Sequence, residues 1–556
     1  MALLLPVLFT TAIAASSWLL RYAALALVLG VGLPALASLV RDPRTRRPAV
    51  LGAAFAAWCL VCTAFARYPI VTLFGTFGLG TGALFSISLV AAWAIGASVD
   101  EKGPALIEKA LLVAAAINIA VAIAQMATDL KPLGLDLLDR RSSGLLGNPV
   151  FLAELLVGAF WLVLLRSPGR WPAWALYAVG IGAGLQVSGS RLPLAIAILA
   201  LPVAAFFIPK QFVAAIGVAL VLGIGLGTLL TQHAGGASTS SRLAEPLGAS
   251  GNRARLETWR AAGTAIAQRP IVGFGPGRYN EATGPLRSYA LGRAGPDKIF
   301  IDAHNLLIEY TTTTGLPGLA LLVTFLIAIV RRRITSVPLL VYGLAILDGH
   351  LVEPQNVAVT PLAFLALGAA TAEGPALRPL LPTVVRALAA VIGTGLTAQL
   401  LVGGYYFQEA ALDFNLDRAH AALRLLPPWP QTAALVGRVY TFQSKTTRHR
   451  PDLVRQARRW QRIAALRDPS NATQWQELAE GQLADGNRQA ARASLRASLH
   501  WNPWSTRGLD DLGTLELSEH HWDAAIRAFE KSLRAKPVQP EAQRLLDQAR
   551  AEKARA

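Results

Sequence analysis

Charged residues are scarce in this chain of 556 residues: Asp, Glu, Lys and Arg make up 15% of it, whereas hydrophobic residues make up 53%. A composition this apolar excludes a string of water-soluble domains. Cysteine is nearly absent, because Cys59 and Cys62 are the two cysteines of the chain. They exclude a disulfide framework, and their position in an apolar run favours small buried side chains over a redox or metal site.

Long apolar runs fill the chain from Met1 to about residue 406, and the composition then turns polar and charged. A helix needs about 20 apolar residues to cross a bilayer. The pattern therefore predicts a polytopic membrane domain over 1–406, with a long polar segment at 232–302, and a soluble domain over 407–556. The first residues resemble a signal peptide but lack a basic flank, so we interpret them as a retained first helix. About thirteen spans are predicted, at 2–18, 22–40, 48–66, 71–96, 104–127, 149–165, 172–187, 192–208, 212–231, 303–330, 337–352, 357–373 and 380–404.

Basic residues outnumber acidic ones, which gives a formal net charge of +18. Much of this charge lies in short loops between the predicted spans, at Arg41–Arg47, Arg166–Arg170, Lys210, Arg331–Arg333 and Arg378. Such loops remain on the cytoplasmic side of a membrane, so they indicate orientation rather than nucleic-acid binding. With thirteen spans the N-terminus is cytoplasmic, and the segment 232–302 and the C-terminal domain lie outside.

The C-terminal domain has an internal period of 34 residues. Pro469, Pro503 and Pro537 follow this spacing, and Ala457, Ala491 and Ala525 repeat it in step. The pattern resembles tetratricopeptide repeats, in which each unit is a helical hairpin. Small alanines let paired helices approach, and proline ends each unit because it cannot continue the second helix. A docking surface for a partner or acceptor is one interpretation of this domain, and a spacer or stability module is the other.

Polar motifs stand at places where an apolar chain should avoid polarity, and all of them map to the outer side. Each alone has an ordinary structural explanation: a boundary arginine reaches for water, a glycine-rich stretch makes a turn, and a single histidine is more often structural. The motifs are Arg140-Arg141 followed by Gly147-Asn148-Pro149, Ser188-Gly189-Ser190-Arg191, Arg255-Leu-Glu-Thr-Trp259, Pro270-Ile-Val-Gly273-Phe-Gly275-Pro-Gly277, and Asp302-Ala-His304-Asn305.

Taken together, residues 140–355 resemble the superfamily of O-antigen ligases, O-antigen polymerases and protein O-oligosaccharyltransferases. Its members combine an S-R motif, an R-x-x-x-W…P-x-x-G-x-G segment and an H-N motif with multiple spans. The stretch from His350 to Pro354 also resembles, loosely, an H-x-x-E-x-P element of relatives that glycosylate proteins. The resemblance implies an all-α, GT-C-like membrane helical bundle and a glycosyltransferase that uses a glycan on undecaprenyl pyrophosphate.

The resemblance carries three catalytic candidates over to this sequence: Arg191, Arg255 and His304. Guanidinium groups match phosphate oxygens bidentately and remain charged, so the two arginines would stabilise the leaving pyrophosphate. The ordinary pKa of histidine, about 6.5, suits His304 to accept the proton of an attacking hydroxyl as general base. Holding a phosphate as imidazolium is the alternative role for His304.

Four further residues are second-rank candidates for binding pyrophosphate or sugar: Arg141, Arg278, Asn305 and Asn148. The outer segments offer no Asp/Glu cluster of the kind that holds Mg²⁺ through phosphates, so we expect no metal and no cofactor. Direct attack by the acceptor predicts inversion at the anomeric carbon.

Three acceptors fit these motifs: the lipid A core, a growing polysaccharide and a Ser/Thr on an exported protein. We favour the ligase interpretation, because the R-x-x-x-W and H-N motifs lie in ligase-like positions. The repeat domain departs from typical ligases. Membrane lipids and a protein bound to the repeats are further expected partners.

Other classes fit less well. A lipid-linked glycan transporter or flippase should show corresponding broken helices in two halves, and none is evident. A peptidoglycan polymerase should carry an acidic catalytic loop, which is not evident either. A purely structural membrane scaffold is the remaining alternative.

Overall fold

The computed structural model describes residues 1–10, 13, 18–128, 137–166, 171–235, 250–373, 381–446 and 450–556. Within these ranges the chain is helical and forms no β-strand, which confirms the predicted all-α fold. Residues 167–170 and Arg378, which were used to orient the spans, lie outside the described ranges. Both cysteines are buried and unpaired by disulfide.

Seventeen α-helices are described between Leu4 and Asp413, a range that includes the long polar segment. In chain order they are α1 (Leu4–Val7), α2 (Leu19–Arg41), α3 (Arg46–Ala64), α4 (Pro69–Phe74), α5 (Ala83–Ala97), α6 (Gly103–Ala127), α7 (Pro149–Arg166), α8 (Trp171–Ser188), α9 (Arg191–Ala204), α10 (Lys210–His233), α11 (Ser250–Gln268), α12 (Tyr279–Thr283), α13 (Tyr289–Ala294), α14 (Leu306–Val330), α15 (Val337–Gly349), α16 (Thr360–Ala369) and α17 (Thr383–Asp413).

Seven of these helices are long and apolar enough to cross a membrane, and four shorter apolar helices accompany them. The close crossing of α5 and α16 shows how they pack. A Cβ on Gly96 would lie 2.1 Å from the Leu365 carbonyl oxygen, and one on Gly368 would lie 2.2 Å from the Trp93 carbonyl oxygen. Glycine is therefore required at both positions, because small residues let membrane helices approach backbone to backbone.

The predicted first span at 2–18 is wrong. Helix α1 covers only Leu4–Val7, and residues 8–10 are not helical. A continuing helix would use the Leu5 and Pro6 carbonyls for its own hydrogen bonds. Here the Leu5 carbonyl accepts from Arg21 Nε at 2.8 Å, and the Pro6 carbonyl accepts from Asn118 Nδ2 at 3.1 Å. The N-terminal residues thus pack against the loop before α7, since Arg21 Nη2 also donates to the Leu145 carbonyl at 2.7 Å.

The predicted span at 71–96 is interrupted. Residues 75–82 form a loop between α4 and α5, in which Gly75, Gly78 and Gly80 have φ angles of 80°, 105° and 66°. Only glycine adopts such angles without steric cost. A hydrophobic run alone does not reveal this loop, which we name the glycine loop. The other eleven predicted spans each coincide with a described apolar helix.

The C-terminal part consists of paired helices, and their spacing confirms the 34-residue period. Ala457, Ala491 and Ala525 are all buried in the second helix of their pairs, and Phe529 packs on Gly513. The long helix α17 continues to Asp413, past the expected boundary at residue 406. The remaining helices are α18 (Leu416–Leu425), α19 (Pro430–Thr446), α20 (Pro451–Arg467), α21 (Ala472–Ala484), α22 (Arg488–Trp501), α23 (Thr506–Ser518), α24 (Trp522–Ala535) and α25 (Pro540–Arg555).

The segment between α11 and α14 lies on the turns that join successive repeats. Asp468 and Asn502 occupy the same position in two repeats, 34 residues apart, each directly before a proline. Arg278 Nη2 donates to Asp468 at 2.7 Å, and Arg287 Nη1 donates to Asn502 at 2.7 Å. Two arginines of the segment thus bind equivalent sites on neighbouring repeats.

Candidate functional site

His304 lies in a tight turn that immediately precedes α14. Its φ angle is 49°, a left-handed conformation that is uncommon for a residue with a side chain. Asn305 caps α14 by accepting from the Ile308 amide at 2.9 Å, and it donates to the Leu351 carbonyl at 2.7 Å. Trp259 of α11 donates its indole N–H to the Ala303 carbonyl at 2.7 Å. Contacts on both sides therefore hold the strained turn, as is often found at functional sites.

Asp302 orients the imidazole of His304. Its carboxylate lies 2.6 Å from His304 Nδ1 and also accepts the His304 backbone amide at 2.7 Å. Burial lowers the pKa of His304, but the charge and hydrogen bond of Asp302 outweigh it, so the pKa lies above its ordinary value of about 6.5. Because Nδ1 faces the carboxylate, Nε2 is the nitrogen that can take up a proton from outside.

Arg255 of α11 pairs with Glu353 in the loop between α15 and α16. Arg255 Nη2 lies 3.3 Å from Glu353 Oε2, and the arginine side chain is 32% exposed. The pKa of Glu353 is raised by burial, against the opposing charge of Arg255. The charges of Glu154, His304 and Arg141 also act on this carboxylate. Glu353 therefore lies within electrostatic range of Arg255, His304 and Arg141, and we name these four residues the cluster.

Arg141 joins the loop before α7 to the turn that begins α9. Its Nε donates to the Ser188 carbonyl at 2.7 Å, and its Nη2 donates to the Ser190 hydroxyl at 2.9 Å. Arg191 is the next residue and the first of α9. These contacts place the Ser-Arg motif against Arg141, and Arg141 links it electrostatically to Glu353. Asn148 accepts the Val150 amide at 2.9 Å, which fixes the beginning of α7.

A buried polar network of Glu154, His350, Asn356 and Thr360 supports the cluster. Glu154 Oε1 lies 3.2 Å from His350 Nδ1, and Glu154 Oε2 accepts from Asn356 at 2.9 Å. The other ring nitrogen of His350 lies 2.9 Å from the Thr360 hydroxyl. The His350 carbonyl accepts the Leu306 amide at 2.7 Å. This network ties α7, α15 and α16 to the first residue of α14, directly after the His304 turn.

The cavity that His304 lines is small. It is bordered by Thr81 of the glycine loop, Asp302, Glu309 and Gln355, and its volume is about 10 Å³. A single water molecule needs about this much space. A diphosphate does not fit in this volume, so this form of the site is closed at His304.

Arg278 has a different environment from the one expected. Its side chain is 1% exposed and pairs with Glu281 at 2.9 Å and with Asp468 at 2.7 Å, and it also donates to the Ser470 hydroxyl at 3.0 Å. These partners belong to the contact between the segment and the repeats. The structure therefore favours a structural role for Arg278 over pyrophosphate binding.

We expect Arg278→Ala to lower the free energy of unfolding by about 3–5 kcal/mol, because it leaves the buried Glu281 and Asp468 carboxylates without their cation. Thermal unfolding of the detergent-purified chain should give a lower Tm, and limited proteolysis should release the repeats earlier. Arg293→Ala is the matched control, since Arg293 is an exposed arginine of the same segment. Equal Tm values for the two variants would contradict this role.

Sequence reasoning missed Asp302 and Glu353 as site residues. Both lie inside motifs described above: Asp302 is two residues before His304, and Glu353 is three residues after His350. An acidic residue beside a candidate base is the available signal for Asp302. The signal for Glu353 was hidden, because its partner Arg255 is 98 residues away in the chain.

One group of described residues has the composition of a metal site: Glu516, Glu519 and His521, in the repeats. Arg492 already occupies this group, because its guanidinium donates to Glu516 at 2.8 Å and also to Glu519. A cation is thus supplied by the protein itself.

Comparison with known proteins identifies a family to which part of this chain is similar. Residues 176–323 match the family model described as O-Antigen ligase (Wzy_C), a range that contains Arg191, Arg255 and His304. No curated protein matches the chain. One similar solved structure is titled "Crystal structure of MamA protein"; it is 20% identical, covers 29% of this chain and 84% of its own, and has a TM-score of 0.25. Residues 176–323 are therefore similar to the O-antigen ligase family, in a chain with several helices that can cross a membrane, and this similarity supports a glycosyltransferase function of the ligase or polymerase type.

Proposed function

We propose that this protein transfers a glycan from undecaprenyl pyrophosphate to an acceptor hydroxyl at the periplasmic face of a bacterial inner membrane. The observation that carries the proposal is the pairing of an oriented histidine, His304 with Asp302 at 2.6 Å, with the adjacent Arg255–Glu353 ion pair. A base and a guanidinium group in one cluster are the two groups that such a displacement needs.

The arginines act on the leaving group. As the sugar C1–O bond breaks, the departing pyrophosphate takes the electron pair and gains negative charge. Arg255 contacts Glu353 through Nη2 at 3.3 Å, which leaves its other N–H groups to bind phosphate oxygens. Arg191 and Arg141 supply further positive charge from the Ser-Arg turn. Stabilisation that is stronger in the transition state than in the ground state accelerates the reaction.

His304 acts on the acceptor. Its Nε2 takes the proton of the acceptor hydroxyl while the hydroxyl oxygen attacks the anomeric carbon from the side opposite the pyrophosphate. Asp302 fixes the imidazole tautomer and stabilises the imidazolium that forms, as a carboxylate does in other His–Asp pairs. This single displacement inverts the anomeric carbon. A glycosyl-enzyme intermediate or a retained configuration in the product would contradict it.

We propose the following topology. Without the span at 2–18, twelve crossings remain, so the N-terminus and the repeats lie on one side of the membrane. The basic loops keep their cytoplasmic positions in this arrangement. The N-terminus is then periplasmic, instead of cytoplasmic as thirteen spans imply, and this agrees with the contacts of Arg21 and Asn118 described above. Leu4 is 55% exposed, so labelling of an introduced Leu4→Cys by a membrane-impermeant thiol reagent from the periplasmic side tests this topology. Labelling from the cytoplasmic side alone would contradict it.

The ligase reaction is our first choice, and polymerase or protein O-oligosaccharyltransferase activity are the alternatives. A transporter or flippase is less well supported, because the charged groups of the cluster gather at one end of the helices.

The deciding experiment incubates the purified chain with a lipid-linked glycan and, separately, with lipid A core, polysaccharide repeat or a Ser-rich carrier protein. Product mass identifies the acceptor. A chelator arm tests metal independence, which loss of transfer with recovery on adding Mg²⁺ or Mn²⁺ would refute.

The pH dependence of transfer tests the His304–Asp302 pair. A general base works when it is neutral, and the pKa of His304 is raised, so kcat/KM should fall as pH decreases through a value above 6.5. Asp302→Asn removes the carboxylate that raises this pKa. We expect the acid midpoint to move to lower pH, with a lower maximal rate because the tautomer is no longer fixed. Asp348→Asn, at an exposed carboxylate two residues before His350, should leave the midpoint in place. An unchanged or higher midpoint in Asp302→Asn would rule out this pair.

A further inference from the structure

A second, polar cavity lies where the membrane part, the segment after α11 and the repeats meet; we name it the interface cavity. Its volume is about 210 Å³. The glycine loop contributes Thr76 and Phe77, and the repeats contribute Gln431 of α19 and Gln474 of α21. The segment contributes Gly277, Arg278, Asn280, Glu281, Ile299 and Ile301. Sites for drug-sized ligands occupy about 300–1,000 Å³, so this cavity suits a smaller unit such as one sugar ring.

Three of the residues that line the interface cavity carry an unpaired buried oxygen. Thr76 Oγ1, Gln431 Oε1 and Asn471 Oδ1 belong to lining residues, and each is buried without a hydrogen-bond partner among the described residues. A buried polar atom without a partner costs about 1–3 kcal/mol. Three such atoms from three parts of the chain at one cavity indicate a place where hydrogen-bonding groups of a bound molecule complete the structure.

The charges of the interface cavity select against an anion. Its one arginine, Arg278, already pairs with two carboxylates, Glu281 and Asp468. The lining set therefore carries no net positive charge with which to hold a pyrophosphate. Amide and hydroxyl groups beside one aromatic ring, Phe77, are suited instead to a neutral molecule rich in hydroxyl groups.

The interface cavity adjoins the candidate catalytic turn through two stretches of chain. Ile301 lines the interface cavity, and the next residue, Asp302, lines the small cavity of His304. The glycine loop does the same, because Thr76 borders the interface cavity and Thr81 borders the cavity of His304. A glycan bound between the segment and the repeats would thus continue towards His304.

We propose that the interface cavity is a glycan subsite in which the repeat domain supplies one wall, so that the repeats take part in substrate binding. This rests on the proposed function. The ligand is a neutral saccharide unit, and it belongs either to the lipid-linked donor or to a saccharide acceptor. The repeats then act as more than a spacer.

Binding to the full-length chain without turnover tests the subsite. Two probes are used on the His304→Ala background in detergent: the glycan released from its lipid carrier by mild acid, and the delipidated acceptor oligosaccharide. Gln431→Met removes one unpaired oxygen at nearly constant size, and Thr473→Trp fills the cavity. Gln548→Ala in α25 is the control, since its exposed amide contacts Glu552 within the same helix.

We expect at least one probe to bind, and Gln431→Met and Thr473→Trp to weaken its Kd by about tenfold or more. The Tm of Gln431→Met should equal or exceed that of the parent, because an unpaired buried oxygen has been removed. The Gln548→Ala control should bind like the parent, and inorganic pyrophosphate should not compete. The probe that binds identifies whether donor or acceptor glycan occupies the cavity.

Absence of binding by both probes, or unchanged Kd in both variants, would overturn the subsite. The proposed function is tested by a different measurement, glycan transfer by the wild-type chain. Loss of the subsite and loss of the proposed function can therefore be told apart. With the otherwise native chain, Gln431→Met should raise KM for the glycan by about tenfold with a smaller change in kcat.

Discussion

Arg255→Ala is expected to reduce kcat of glycan transfer by about 10²–10³-fold, the cost of removing one preorganised donor from a developing anion. The side chain is partly exposed and bound to Glu353 through a single contact of 3.3 Å, so the fold should tolerate its loss. Transfer from a lipid-linked glycan under saturating substrate measures the effect. Arg255→Lys should remain impaired, because an ammonium retains the charge but loses the planar fork that matches phosphate.

The matched control for this prediction is Arg253→Ala, an exposed arginine two residues earlier on the same helix. It should transfer glycan at the wild-type rate. Wild-type kcat in Arg255→Ala would remove this residue from the site and with it the proposed role of the cluster. Arg191→Ala belongs to the same test, and we expect a loss of similar size.

His304→Ala should lower kcat by about 10²–10⁴-fold, the usual contribution of a general base. The control is His520→Ala, an exposed histidine of the repeats that also has a positive φ angle, 62°. This control shows whether replacing an exposed histidine that has a positive φ angle changes transfer when the residue lies outside the candidate site. If His304 instead holds a phosphate as imidazolium, the main effect of His304→Ala is a higher KM for the donor, and the rate of the wild type rises as pH falls.

Helical periodicity and hydrophobicity were sufficient to predict most of the fold. The apolar spans and the 34-residue period are local patterns, and both appear in the structure as helices at the expected positions. The two errors among the spans have non-local causes. Helix α1 ends at Val7, because Arg21 and Asn118 take the carbonyls of Leu5 and Pro6 that a continuing helix would use. The glycine loop is visible in the sequence as closely spaced glycines within an apolar run. A hydropathy profile does not reveal it, because such a profile ignores the effect of glycine on the backbone.

The candidate site was predictable in its motifs but not in its pairings. His304, Arg255 and Arg191 were identified from spacing and resemblance, and the structure links their motifs through Glu353 and Arg141. Which carboxylate faces which cation depends on how α11, α15 and α9 pack, and no local pattern encodes this. Arg278 is a second example of a pairing that local sequence does not encode. In the sequence it is an arginine beside a glycine-rich stretch, and its partner Asp468 lies 190 residues away.

The contact of Arg278 and Arg287 with equivalent turns of two repeats limits how this protein can change in length. The two arginines are nine positions apart, and together they contact the turns at the two ends of one repeat unit. An additional hairpin placed after α25 extends the array and leaves both contacts intact. An additional hairpin inserted between Asp468 and Asn502 carries Asn502 beyond the reach of Arg287. An additional repeat unit is therefore compatible with both contacts after α25 and disrupts one of them between Asp468 and Asn502.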